Sequence, residues 1–150
     1  MTGLSVLVIG GGGREASFVR ALDASSSVEY ISIAPGNAGP GPHRVDIDVT
    51  DHGAVVAHCM SAGIDLVVIG PEVPLVDGLA DSLFAAGVTV LGPSAAGARL
   101  EGSKGYARER TTEWGIPGPR WTTVSPLPRA TGPITCGAVT LPPTAWRRDS

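Results

Sequence analysis

Leu4-Ser5-Val6-Leu7-Val8-Ile9 is a near-continuous apolar run that ends in consecutive glycines, Gly10, Gly11, Gly12 and Gly13. A run of this kind reads as a strand buried on both faces, the habit of parallel sheets covered by helices. Arg14 to Ala24 then carries Ala16, Val19, Ala21 and Leu22 among good helix formers, so the glycines fall at a strand-to-helix turn. The pattern recurs along the chain. Tyr30 to Ala34 reads as a second strand, closed by the loop Pro35-Gly36-Asn37-Ala38-Gly39-Pro40. Asp51 is the expected N-cap of a helix through Ala62, with Val55, Val56, Cys59 and Met60 as its buried face and Gly63 as its stop. Asp65 to Ile69 is another strand, Gly70-Pro71-Glu72 a turn, Leu75 to Ala86 a helix, and Val88 to Leu91 a strand. Ser103 to Trp114 is the last helical segment, and Ile134 to Leu141 at best one weak strand.

Alternating strands and helices predict the α/β class, an open parallel sheet of Rossmann-like form followed by an irregular tail. Right-handed crossovers place every carboxyl end of such a sheet along one edge, where ligands bind. All three glycine-bearing turns lie at that edge.

At 150 residues the chain suits one ordinary domain. Charge divides it unevenly, for residues 1–115 hold seven basic and thirteen acidic side chains, net −6. Residues 116–150 hold Arg120, Arg129, Arg147 and Arg148 against Asp149 alone, together with seven of the thirteen prolines. Four scattered arginines without interleaved aromatics are a weak footprint for nucleic acid, so no nucleic-acid partner is expected. No apolar run reaches the roughly 18 to 20 residues of a membrane span, and the first one is too short and too early for a signal peptide. A cytoplasmic chain without a membrane partner is the expectation. Cys59 and Cys136 lack metal-ligand spacing and read as plain thiols. His43, His52 and His58 stand apart from any ligand partner and read as surface or helix-face residues.

Gly10 to Gly13, with Arg14 and Glu15, have the makings of a phosphate site. Missing Cβ atoms let amides approach an anion, and the helix start supplies partial positive charge. A tight turn alone would need one or two glycines, not four. Gly11, Gly13 and Ala16 formally satisfy G-x-G-x-x-A, the dinucleotide fingerprint. That fingerprint also wants a carboxylate at the end of the second strand, where this chain has Ala34-Pro35-Gly36-Asn37 and only the distant Arg44. A nicotinamide-dependent oxidoreductase therefore remains only as a control reading. Glu72, flanked by Pro71 and Pro74, places a carboxylate over the sheet edge that suits sugar hydroxyls or an amine, or is simply a solvated loop residue. Lys104, the only lysine against ten arginines, stands near a helix start as a compact charge suited to phosphate oxygens, or as an ordinary surface residue.

Val8-Ile9-Gly10-Gly11-Gly12-Gly13-Arg14-Glu15, Ala34-Pro35-Gly36-Asn37-Ala38-Gly39 and Gly70-Pro71-Glu72-Val73-Pro74-Leu75-Val76-Asp77-Gly78 together resemble the amino-terminal domain of the phosphoribosylamine–glycine ligases, of the ATP-grasp superfamily. Gly92-Pro93-Ser94 and Leu100-Glu101-Gly102-Ser103-Lys104 continue the match in order, so the resemblance runs over about residues 4–117. It implies a substrate domain over residues 1–101, the start of an ATP-grasp region over 102–117, and an unrelated tail, rich in Pro, Arg and Thr, over 118–150. By the same resemblance Gly10, Gly11, Gly12, Gly13, Arg14 and Glu15 contact a phosphoribosyl substrate with Asn37 nearby, Glu72 holds the ribose or its amine, and Lys104 meets an ATP phosphate.

The family joins glycine to phosphoribosylamine at the expense of ATP, with Mg2+, in purine biosynthesis. Its glycine turn usually reads Gly-Asn-Gly-Gly-Arg-Glu-His, where this chain has Gly11 and Ala16 at the Asn and His positions. The family's second ATP lysine, glycine-rich flap and magnesium carboxylates have no counterpart here. The resemblance therefore implies a truncated or frame-shifted ligase, inactive alone, since phosphoryl transfer depends on groups that neutralise developing charge. The alternative is a phosphoribosyl-binding module, or one subunit of a split ligase that docks on a separate ATP-grasp chain.

Overall fold

A computed structural model describes residues 3–36 and 43–121. Asn37, Cys136 and the weak strand expected at Ile134 to Leu141 lie outside the described residues. The elements are β1 (Leu4–Gly10), α1 (Gly13–Asp23), β2 (Val28–Pro35), β3 (His43–Arg44), α2 (His52–Ala62), β4 (Leu66–Ile69), α3 (Glu72–Asp77), α4 (Leu79–Ala85), β5 (Thr89–Leu91), α5 (Ala95–Gly102) and α6 (Lys104–Glu113). Five strands form one parallel sheet in the order β3-β2-β1-β4-β5, which is the α/β architecture expected from the sequence.

The alternation of Cβ direction along β1 explains why its apolar run is unbroken. Val6 and Val8 face one side of the sheet, where Ile33 and Val68 join them beneath Phe18, Val19 and Leu22 of α1. Leu7 and Ile9 face the other, packed with Val55 and Cys59 of α2, Leu75 of α3, and Leu79 and Leu83 of α4. Each fully buried Leu or Val contributes roughly 1.5–3 kcal/mol relative to leaving it in water. The one fully buried hydroxyl in this layer, on Ser32, donates to the Val6 carbonyl at 3.3 Å.

Local chemistry sets the helix ends. The Asp51 carboxylate accepts the Ala54 amide at 3.0 Å and caps α2, and Gly63 closes that helix in the left-handed conformation, both as the sequence predicts.

Four expectations are corrected. Met60, expected on the buried face of α2, is exposed, and only Val55 and Cys59 of that helix are fully buried. The single helix expected over Leu75 to Ala86 is two, α3 and α4, interrupted at Gly78, whose φ of 97° no helix interior accommodates. Glu72 is not in a turn, because α3 begins with it directly after Pro71. The helix expected from Ser103 is preceded by an unforeseen one, α5, and the side chain of Ser103 caps α6 by accepting the Tyr106 amide at 3.3 Å.

Candidate functional site

The direction in which the chain winds across the sheet reverses between β1 and β4, and a crevice opens at the carboxyl ends of the strands at such a point. Two helices start from it, α1 after β1 and α3 after β4. The turns that lead into them touch. A Cβ on Gly10 would lie 3.0 Å from Pro71 Cδ, and one on Gly11 would lie 2.7 Å from the Gly36 carbonyl oxygen at the end of β2. The Gly36 amide in turn donates to the Gly10 carbonyl at 3.2 Å, and the Gly70 amide to the Ile9 carbonyl at 3.1 Å. Three loops from three neighbouring strands thus meet at one point.

Glu15 fills the floor of that point. It is 4% exposed, and its Oε2 accepts the Gly12 amide at 2.6 Å. A Cβ on Gly10 would come within 2.6 Å of Glu15 Cγ, and one on Gly70 would run into Glu15 Oε1. The glycines are therefore needed here for room as much as for backbone freedom, although Gly10 also holds a φ of 128° that side chains disfavour. Arg14 Nε stands 3.8 Å from Glu15 Oε1, beyond hydrogen-bonding range, and the Arg14 side chain is exposed.

The first-turn amides of a helix have no intrahelical acceptor. Gly12, Gly13 and Arg14 are exposed at the start of α1, and a Cβ added to Gly13 meets nothing within 4 Å. That face of the turn is open to an anion. Glu72, exposed at the first position of α3, directly follows the Gly70-Pro71 turn at the same sheet edge. Gly10, Gly11, Gly12, Gly13, Arg14, Glu15 and Glu72 are thereby brought to one edge, whereas Glu15 is turned inward and away from solvent. Lys104 is not joined to them. It is exposed at the first position of α6, a helix that packs on α5.

A second group of polar side chains gave no signal in spacing, since its members stand 25 and 30 residues apart. His52, half-buried at the start of α2, has Nδ1 3.1 Å from Ser82 Oγ and Nε2 3.3 Å from Asp77 Oδ2, the latter without hydrogen-bonding alignment. Ser82 Oγ itself donates to the Gly78 carbonyl at 3.1 Å. Ser82 Oγ thus links the His52 ring to the backbone of the α3–α4 bend.

His43 is exposed and His58 half-buried on α2, as expected of surface and helix-face residues. The Cys59 thiol, packed in the core, is pushed up to about 11 by burial. Thr50 holds the exposed Asp48 carboxyl below its usual range through side-chain and backbone hydrogen bonds. No group of three or more His, Cys, Asp or Glu among the described residues is placed to hold a metal ion. No helix among them is long and apolar enough to cross a membrane.

Comparison with known proteins shows the family. The phosphoribosylglycinamide synthetase N-domain family matches residues 4–101. Phosphoribosylamine–glycine ligases of Mesorhizobium japonicum and Agrobacterium fabrum are each 47% identical over 116 residues, 76% of this chain and 27% of theirs. The corresponding ligase of Mycobacterium tuberculosis is 45% identical over 115 residues. The chain thus spans about a quarter of the length of these curated relatives. Among solved structures, the complete multifunctional pyruvate carboxylase of Rhizobium etli superposes with a TM-score of 0.52 at 18% identity, over 80% of this chain and 13% of that one, a likeness of fold alone. With its sheet, its glycine turn and its match over residues 4–101, the chain belongs to the phosphoribosylglycinamide synthetase N-domain family.

Proposed function

We propose that this domain binds the phosphoribosyl end of a glycinamide ribonucleotide synthetase substrate, in the crevice between β1 and β4. The carrying observation is the exposed first turn of α1, open at Gly13, at the sheet edge from which α3 also starts with the exposed Glu72. Amides of Gly13 and Arg14 would receive the phosphate oxygens, helped by the α1 dipole and the Arg14 guanidinium. Glu72 would accept from the ribose hydroxyls or the amine. The relatives' names supply the substrate class, phosphoribosylamine and its glycine adduct.

In the same reading residues 1–101 are the substrate domain and 102–117 open the ATP-grasp region. Lys104, exposed at a helix start, fits an ATP phosphate as a point charge. ATP with Mg2+ supplies the activation of glycine where a complete ATP-grasp part is present. No described residue of this chain is assigned to the metal.

The test is calorimetric titration with glycinamide ribonucleotide, the stable product, with NADH and ATP in parallel. Saturable binding of the ribonucleotide but not of NADH is expected. Gly13→Glu leaves the core untouched, because a side chain there projects into open space, and sets a carboxylate against the phosphate. It should weaken binding by more than about tenfold, and Glu72→Ala by roughly tenfold or more, each in keeping with the loss of a hydrogen bond to a charged group. Equal binding by all three proteins, or preference for NADH, overturns the reading.

A further inference from the structure

We infer that Glu15 is a positioning residue, a rivet that fixes the first turn of α1 for phosphate capture without touching the ligand. This rests on the phosphoribosyl reading above. Burying a carboxylate is costly unless its oxygens are satisfied, so its presence at 4% exposure calls for a structural return. That return lies in its position. Oε2 takes the Gly12 amide at 2.6 Å, tying the third residue of the helix to the residue that caps it. The Cγ and Cδ atoms lie against Gly10 at the end of β1, and Oε1 lies against Gly70 at the end of β4. One side chain therefore touches the ends of both strands that form the crevice as well as the turn above it.

The consequence for binding is geometric. With the Gly12 amide taken by Glu15, an incoming phosphate is left the amides one and two residues further on, at Gly13 and Arg14, on the face where no Cβ contact lies within 4 Å. The family resemblance places Glu15 among the substrate contacts. Its inward direction assigns it to the support of that site.

The test compares wild type with Glu15→Gln and Glu15→Ala by two measurements. Gln keeps the length and an oxygen acceptor for the Gly12 amide but carries no charge, and Ala keeps neither. Hydrogen exchange at the Gly12 amide, referenced to the Val8 amide in β1, reads the rivet without ligand. Titration with glycinamide ribonucleotide reads its effect on binding. In Ala, faster Gly12 exchange and weaker binding, each by roughly tenfold, are expected, with Gln within about threefold of wild type in both.

A Gln variant that loses affinity tenfold while Gly12 stays protected overturns the inference, because the carboxylate then meets the ligand directly. Unchanged Gly12 exchange in Ala also overturns it. Should Ala fail to fold, Gln alone decides by the same criteria. Should wild type not bind the ribonucleotide, the phosphoribosyl reading falls, and the exchange data still decide whether Glu15 holds the turn.

Discussion

The Asp81 carboxylate on α4 accepts the amide of Ala95, the first residue of α5, at 2.8 Å across 14 residues of sequence. It takes up one of the donors that a helix start leaves without an intrahelical acceptor, and Ser94 takes up another at Gly97. Asp81→Ala should cost about 1 kcal/mol, read as a lower urea midpoint, with Asp81→Asn intermediate. An unchanged midpoint in Ala would show that the bond contributes nothing in water.

Gly78 sits between α3 and α4 at a φ of 97°. A Cβ there would meet only Ala95 Cβ and Asp81 Oδ2, both at 3.9 Å, which is ordinary contact. The cost of Gly78→Ala is therefore backbone strain alone, about 1–2 kcal/mol by chemical denaturation. A larger loss would mean that the bend itself, held by Ser82 and His52, had come apart.

Position 11 is glycine where the family usually carries asparagine, and here the Gly36 carbonyl oxygen stands 2.7 Å from where a Cβ would be. Two backbones meet at that point, so neither can yield as a flexible side chain would. Gly11→Asn is expected to destabilise the domain by roughly 1–3 kcal/mol, in the range of overpacking. Native-like stability in this variant would show that the end of β2 moves aside freely.

Cys59 gives a pH dependence with a definite sign. Its thiol is held neutral up to about 11 in the folded chain, against 9.0 when unfolded. Between those values the unfolded state has lost a proton that the folded state keeps, so this contribution to stability is full below pH 9 and is lost as pH rises toward 11. Denaturation midpoints in a Cys136→Ser background should fall across that window, and Cys59→Ser should flatten the fall. Alkylation at pH 8 should be slow in the native protein and fast in urea.

How much of this was legible in sequence follows the range of the causes. β1 and β4 announced themselves as apolar runs, and Asp51 and Gly63 marked the ends of α2, because strand burial and helix capping act over a few residues. α5 was missed because Ala95–Gly102 has only Ala98 buried and carries two glycines, so no apolar stripe reveals it. Its first amide is satisfied by a carboxylate from another helix. β3 has two residues, and only its pairing of Ser32 with His43 and Ile33 with Arg44 makes it a strand.

The same division runs through the candidate site. Sequence by itself determined that a buried strand ends in a glycine turn and opens a helix, since the residue types that allow such a turn are few and stand next to one another. Only the tertiary structure decided which way Glu15 points. Its direction depends on Gly10 and Gly70 together, 60 residues apart in the chain and brought side by side by the pairing of β1 with β4. The space that admits a carboxylate at that point exists only once the two strands lie next to each other.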